Sequence, residues 1–118
     1  MNPFVAPDRI LISPSPQDMR AGIHRLSAII ATEFSQDPLD GSLYVFVSRD
    51  ACKCKLLRFD ANGWCMYYCY LAEGVFKWTP GQDGILLSIE RRQLFWLLDG
   101  LDILQEDAFA PVTARAFL

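Results

Sequence analysis

Lys53-Cys54-Lys55-Leu56-Leu57-Arg58-Phe59, then Asp60-Ala61-Asn62-Gly63, then Trp64-Cys65-Met66-Tyr67-Tyr68-Cys69-Tyr70-Leu71 is the stretch whose reading decides the fold. Two runs rich in β-formers flank a cluster of turn residues, the pattern of a β-hairpin. Just before it, Leu43–Ser48 is apolar on both alternating faces, which predicts a strand in the middle of a sheet. Further upstream, residues 9–12 read as a short strand. A helix is expected next, with Ser15 as N-cap, Pro16 at the first helical position and Asp18 completing a capping box. Met19, Ile23, Leu26, Ile30 and Phe34 supply its apolar face at helical spacing. Gln36–Gly41 is turn chemistry that ends it. Beyond the hairpin, Val75–Trp78 and Ile85–Leu87 read as shorter strands. Ser88 is positioned to cap a second helix over about 89–99, stopped by Gly100. The order predicts an α+β domain, a mostly antiparallel sheet of about five to six short strands with two helices packed on one side of it.

The chain has 118 residues, enough for one domain over 1–118 and no second. An apolar share of 52% against 21% charged residues is the balance of a protein with a real core, and disorder needs the reverse. Eight Phe, four Tyr and three Trp are a heavy load for so small a core, so some aromatics are expected to face a partner. The net charge of −3 argues against bulk attraction to nucleic acid and leaves room for a local patch. No signal peptide and no membrane-length apolar run is visible, and the four cysteines fall within a short stretch. Reduced thiols in a cytoplasmic protein, with no membrane contact, are the expectation.

Each candidate site has a plain competitor. Cys52, Cys54, Cys65 and Cys69 do not have zinc-ribbon spacing. With Asn62-Gly63 as a two-residue turn, Cys65 faces Asp60 and Cys69 faces Leu56. With a three-residue loop, Cys52 and Cys54 lie on the sheet face opposite Cys65 and Cys69. Neither register gathers four sulfurs, so structural thiols and no metal are expected. His24, the single histidine, flanks the apolar stripe of the first helix and reads as a surface residue. Asp60, Asp83, Asp99 and Asp102 could be imagined as a two-metal nuclease site, but all four sit at turns or a helix stop. No cofactor and no small-molecule substrate is implied.

Charge distribution is more informative. Arg49, Lys53, Lys55 and Arg58 against Asp50 give residues 49–58 a local balance of +3, beside Trp64, Tyr67, Tyr68 and Tyr70. Such a pair of strands could follow a phosphate backbone and stack on bases; a solvated face above a core is the alternative. Leu94–Leu98 is apolar around most of a helix. Either the apolar tail of residues 104–118, itself unassigned, folds over it or another chain does, which makes Phe95 and Trp96 interface candidates and a homo-oligomer possible.

Several short motifs then line up. Asp18-Met19-Arg20-x-Gly22-x-x-x-Leu26 is followed by Asp37-Pro38-x-x-Gly41-x-Leu43-Tyr44-Val45-Phe46 and by Lys55-Leu56-Leu57 leading to Asp60-x-x-Gly63. Gly74-x-Phe76-x-Trp78 and Leu94-x-x-Leu97-Leu98-x-Gly100-x-Asp102 complete the series. In this order and spacing, over about residues 9–103, the chain resembles the small accessory TnpB proteins of the sixty-six family of bacterial insertion sequences. It departs from them at Cys69-Tyr70, where the family usually has a Lys-Arg pair, and at Thr79-Pro80, where proline comes one place late.

The resemblance implies a non-catalytic accessory role in transposition of a mobile element, through contact with DNA at the element's ends, with the separate transposase, or both. The catalytic acidic triad of such elements belongs to that larger transposase. Within the signature, capping accounts for Asp18 and close helix packing for Gly22. Arg20 is left over, and it joins Arg49, Lys53, Lys55 and Arg58 as a candidate for phosphate or partner contact.

Overall fold

Leu43–Val47 (β2) is buried at every residue, on both faces. A strand hidden on both sides needs neighbours along both edges and a layer over each face. All four are present in a computed structural model, which describes residues 7–78 and 85–103. The other elements are Ile10–Ile12 (β1), Ile23–Thr32 (α1), Lys53–Asp60 (β3), Gly63–Tyr70 (β4), Leu87–Ile89 (β5) and Arg91–Leu98 (α2). They build one five-stranded sheet in the order β4-β3-β2-β1-β5, with β2 at its centre.

The sheet is mixed. β1 runs parallel to β2, whereas β2–β3, β3–β4 and β1–β5 are antiparallel. The parallel pair follows from the connection: α1 is the crossover that returns the chain to the starting end. The helices lie on opposite faces, not on one side as the order of elements suggested. Alternation assigns the partners. Leu11, Tyr44, Phe46 and Leu57 point to one face and pack with Leu26, Ile29 and Ile30 of α1. Ile10, Ile12, Leu43, Val45, Val47, Cys54, Leu56 and Ile89 point to the other and pack with Leu94 and Leu97 of α2.

Helix α1 begins at Ile23, with Gly22 in the N-cap position, later than the Ser15–Pro16 signal implies. The intervening chain has a stronger offer. Ser13 and Gln17 donate their N–H groups to the carbonyls of Val45 and Val47, both at 2.9 Å, so residues 13–17 stay on the sheet. Asp18 then accepts the N–H of Arg20 at 2.9 Å, and the Ala21 N–H returns to the Asp18 carbonyl at 3.1 Å. The Asp18 carboxylate therefore builds a tight turn instead of a helix cap. Nor does close packing explain Gly22, since a Cβ there would meet nothing within 4 Å.

On the other face, Val75–Trp78 is not a strand. Phe76 instead donates its N–H to the Ala51 carbonyl at 2.6 Å and buries its ring in the α2-side core. The last strand sits two residues later than expected, and Ser88 lies in it, paired with Leu11. Glu90 is the N-cap of α2, in a reciprocal box with Gln93. Gly100, with φ 76°, follows the C-cap as the sequence indicated. Asp83 and the tail from 104 onward, including Phe109, Val112, Phe117 and Leu118, lie outside the described residues.

The hairpin turns at Ala61-Asn62, with Asp60 opposite Gly63, whereas the Asn62-Gly63 turn drawn from the sequence set Asp60 against Cys65. Ala61 carries φ 44°, the left-handed region at the first loop position, where two-residue hairpins favour glycine. Ala61→Gly is expected to stabilise the protein by about 0.5–1 kcal/mol, the relief of the Cβ clash less the added freedom of the unfolded chain. Thermal denaturation of the two proteins side by side checks it.

Candidate nucleic-acid interface

Observed register decides which side chains share a surface. Lys53, Lys55, Leu57 and Phe59 stand opposite Tyr70, Tyr68, Met66 and Trp64, all on the α1 face of the sheet. Lys53 Nζ lies 5.1 Å from the centre of the Tyr70 ring and Lys55 Nζ lies 5.3 Å from that of Tyr68. β4 is the edge strand, so Tyr68 and Tyr70 remain 50% and 66% exposed. At this end of the hairpin the β2–β3 corner and the Pro16–Arg20 segment enclose an open cleft of about 730 Å³. Arg20, Arg49 and Lys53 line it, together with Gln17, Asp18, Asp50 and Tyr68.

Three of the five cationic candidates thus converge, and two do not. Lys55 is only 6% exposed, and its ammonium donates to the Ala21 carbonyl at 2.7 Å. It is a strut that ties the turn before α1 to the sheet, and its charge does not face solvent. Arg58 falls on the other face by alternation, opposite Cys65, and its Nε donates to the Gly41 carbonyl at 3.0 Å. A sequence gives the count of charges in 49–58; strand alternation and the tether to Ala21 divide them.

Two acids temper the cleft. Asp18 receives the Arg20 guanidinium at 2.8 Å, and Asp50 receives Lys53 Nζ at 3.3 Å. The Arg20 side chain and backbone together hold the Asp18 carboxyl at about 2. Ser48 Oγ donates to Asp50 at 2.5 Å and the Cys52 N–H at 3.2 Å, and these bonds, the first above all, hold Asp50 well below the usual carboxylate range. Lys53 is shifted up in return by Asp50. Arg49, exposed at the corner, makes no ion pair among the described residues. Arg49 is therefore the least committed charge of the cleft, whose lining also includes Tyr68. Sequence reading missed Gln17 and Ser48, which act through backbone placement and a side-chain bond without a spacing signature.

The remaining candidates are dispersed. Cys54, Cys65 and Cys69 share the α2 face, with Cys54 directly opposite Cys69, while Cys52 lies at the β2–β3 corner beside Asp50. This overturns both registers considered from the sequence, because the turn is Ala61-Asn62. Cys65 is four positions from Cys69 on the same strand, roughly 13 Å away, so the four sulfurs do not surround one point. Cys69 hydrogen-bonds Cys54, and this bond, with burial second, raises the Cys54 thiol; Cys69 is lowered as the acceptor. His24 is exposed on α1. Among the described residues no three His, Cys, Asp or Glu side chains are grouped to hold a metal ion. On α2, Phe95 is 41% exposed, while Trp96 is half-buried with Arg92 stacked 5.3 Å from its ring. No helix among the described residues is long and apolar enough to cross a membrane.

A sheet closed by helices on both faces, with Arg20, Arg49 and Lys53 lining a cleft at one corner, defines a small α+β protein. The chain belongs to the IS66 Orf2-like protein family, whose model matches residues 8–108. That membership sets it among accessory proteins of insertion-sequence transposition. It is similar to two uncharacterized proteins of Sinorhizobium fredii. One, y4hO, is 34% identical over 94 residues, covering 80% of this chain and 81% of the relative. The other, y4jC, is 30% identical over 95 residues, covering 80% of each. No solved structure matches.

Removing the Lys55 ammonium while keeping its stem should cost stability. Lys55→Met leaves the Ala21 carbonyl without its donor, and a loss of about 1.5–3 kcal/mol is expected in denaturant unfolding. Arg49→Ala should leave the unfolding midpoint in place. Asp50→Ala should destabilise the β2–β3 corner at neutral pH. Because the folded carboxyl is lowered, its contribution is complete above about pH 4, the unfolded value, and is lost as pH falls from there toward the folded value. The gap between wild type and variant should therefore narrow below about pH 4 in melts run across pH.

Proposed function

We propose that this protein is a non-catalytic accessory factor of transposition that contacts the DNA of the element's ends through the Arg20–Arg49–Lys53 cleft. The observation that carries the reading is the convergence of those three cations, from two separated segments, beside the exposed rings of Tyr68 and Tyr70. Phosphates would meet Arg49 first, and Arg20 and Lys53 by exchanging their carboxylate partners. The tyrosines offer faces for unpaired bases or sugar edges. Lys55 supports this surface from beneath, in place of the direct contact its charge suggested.

The exposed ring of Phe95 on α2 favours a second reading in which the same role runs through protein contact, with the transposase docked on the Phe95/Trp96 surface. The two surfaces lie on opposite faces of the sheet, so each can be removed alone.

Fluorescence anisotropy with duplexes of the element's ends, beside scrambled duplexes of equal length, tests the first reading. Binding should weaken with salt at a log–log slope of about −1 to −3, as expected for one to three phosphates. Arg49→Ala should lower affinity several-fold and make the slope shallower by about 1, without loss of stability. Absence of binding at low salt removes the DNA reading. Co-purification with the transposase, lost on Phe95→Asp and kept in Arg49→Ala, is the result the second reading requires.

A further inference from the structure

Natural sheets blunt their free edges with charges, prolines, bulges or short strands. The β5 edge follows that rule, being three residues long. The β4 edge does not. It runs for eight residues as Gly-Trp-Cys-Met-Tyr-Tyr-Cys-Tyr, with no charge and no proline, and it pairs with β3 residue for residue without a bulge. Among the described residues no strand lies beyond it.

Its hydrogen-bonding direction is fixed by the ladder. The Leu71 N–H donates to the Cys52 carbonyl at 2.8 Å, which continues the β3–β4 register by one pair. Counting back in twos, Cys69, Tyr67, Cys65 and Gly63 turn their main-chain groups inward to β3. Trp64, Met66, Tyr68 and Tyr70 therefore turn theirs outward. An antiparallel partner with the same spacing of outward groups is β4 itself. A two-fold axis through Tyr67 sets Trp64 against Tyr70 of the second copy and Met66 against Tyr68, all with outward groups in register. Axes through Met66 or Tyr68 also align outward groups but leave part of the strand unmatched.

We propose that β4 is a self-association edge, through which two copies of this chain join their sheets in antiparallel register about Tyr67. Three features select a second copy over another occupant. The hydrogen-bond pattern is self-complementary over the whole of residues 64–70. An edge without charge fits a strand without charge, and β3 carries four charged residues whereas β4 carries none. Cross-strand pairs on the α1 face become Trp–Tyr and Met–Tyr, side chains that are exposed or half-exposed in one copy. The axis stands normal to the sheet, so both Arg49–Lys53 clefts open on the same side of the joined sheet. The inference does not depend on DNA binding.

Sedimentation equilibrium of the full chain across a concentration series, paired with amide exchange, tests it. Wild type should be dimeric at high concentration, with the N–H groups of Met66 and Tyr68 protected there and exchanging quickly on dilution. Tyr67→Lys, which sets like charges against each other on the axis, should remain folded and monomeric, while Tyr67→Thr should still dimerise. Met66→Pro removes an outward N–H that β3 does not use and should also give a monomer. A wild type that stays monomeric throughout overturns the proposal, including the case where those amides are protected independently of concentration, which means the chain's own residues cover the edge. A dimer that survives both Tyr67→Lys and Met66→Pro overturns it as well.

Discussion

Every other part of this structure answers to the complete burial of β2. Five side chains, Leu43 to Val47, are at most 1% exposed. At about 1.5–3 kcal/mol for each large apolar side chain hidden, this strand alone contributes on the order of 10 kcal/mol to the driving force. That gain requires two layers, because consecutive residues point in opposite directions. Tyr44 and Phe46 need α1; Leu43, Val45 and Val47 need α2 and Phe76. Placing both helices on one side would leave half of β2 in water. The strand's edges make a matching demand, met by β1 and β3.

Legibility of the fold tracks how local the deciding forces are. The hairpin, the central position of β2 and the glycine stop of α2 depend on residues near one another, and all were readable. The parallel β1–β2 pair was encoded in the β-α-β order, yet short strands and a strong hairpin suggested antiparallel pairing throughout. The start of α1 was misread because Ser15, Pro16 and Asp18 fit a capping template. Backbone groups of residues 13–17 had partners on β2, some thirty residues away in sequence, that no local pattern reveals. Ala61 hid the turn in the same way: without glycine at the first loop position, Asn62-Gly63 was the more obvious choice.

The candidate site shows the same division. A cluster of four cations was visible as composition, but its geometry was not. Alternation sends Arg58 to the far face, and the Ala21 carbonyl claims Lys55. Arg20, which stood out because packing and capping left it unexplained, lands in the cleft beside Arg49 and Lys53. Its own neighbour Asp18 offsets much of its charge. The surface is therefore milder than the count of basic residues implies.

One topological feature bears on how the chain reaches this state. β3 and β4 meet across a two-residue loop, whereas β1 and β5 pair Ile10 with Ile89, joining the two ends of the described fold. Contacts between near neighbours close quickly, and those that span most of a chain wait until the intervening loop entropy has been overcome. On that basis the hairpin is expected to form early and the β1–β5 seam with α2 late. Its three residue pairs are a weak latch on the Ile10–Ile12 face. A nascent chain that has made everything through Tyr70 already holds the cleft, while one face of its sheet still waits for the segment that covers it.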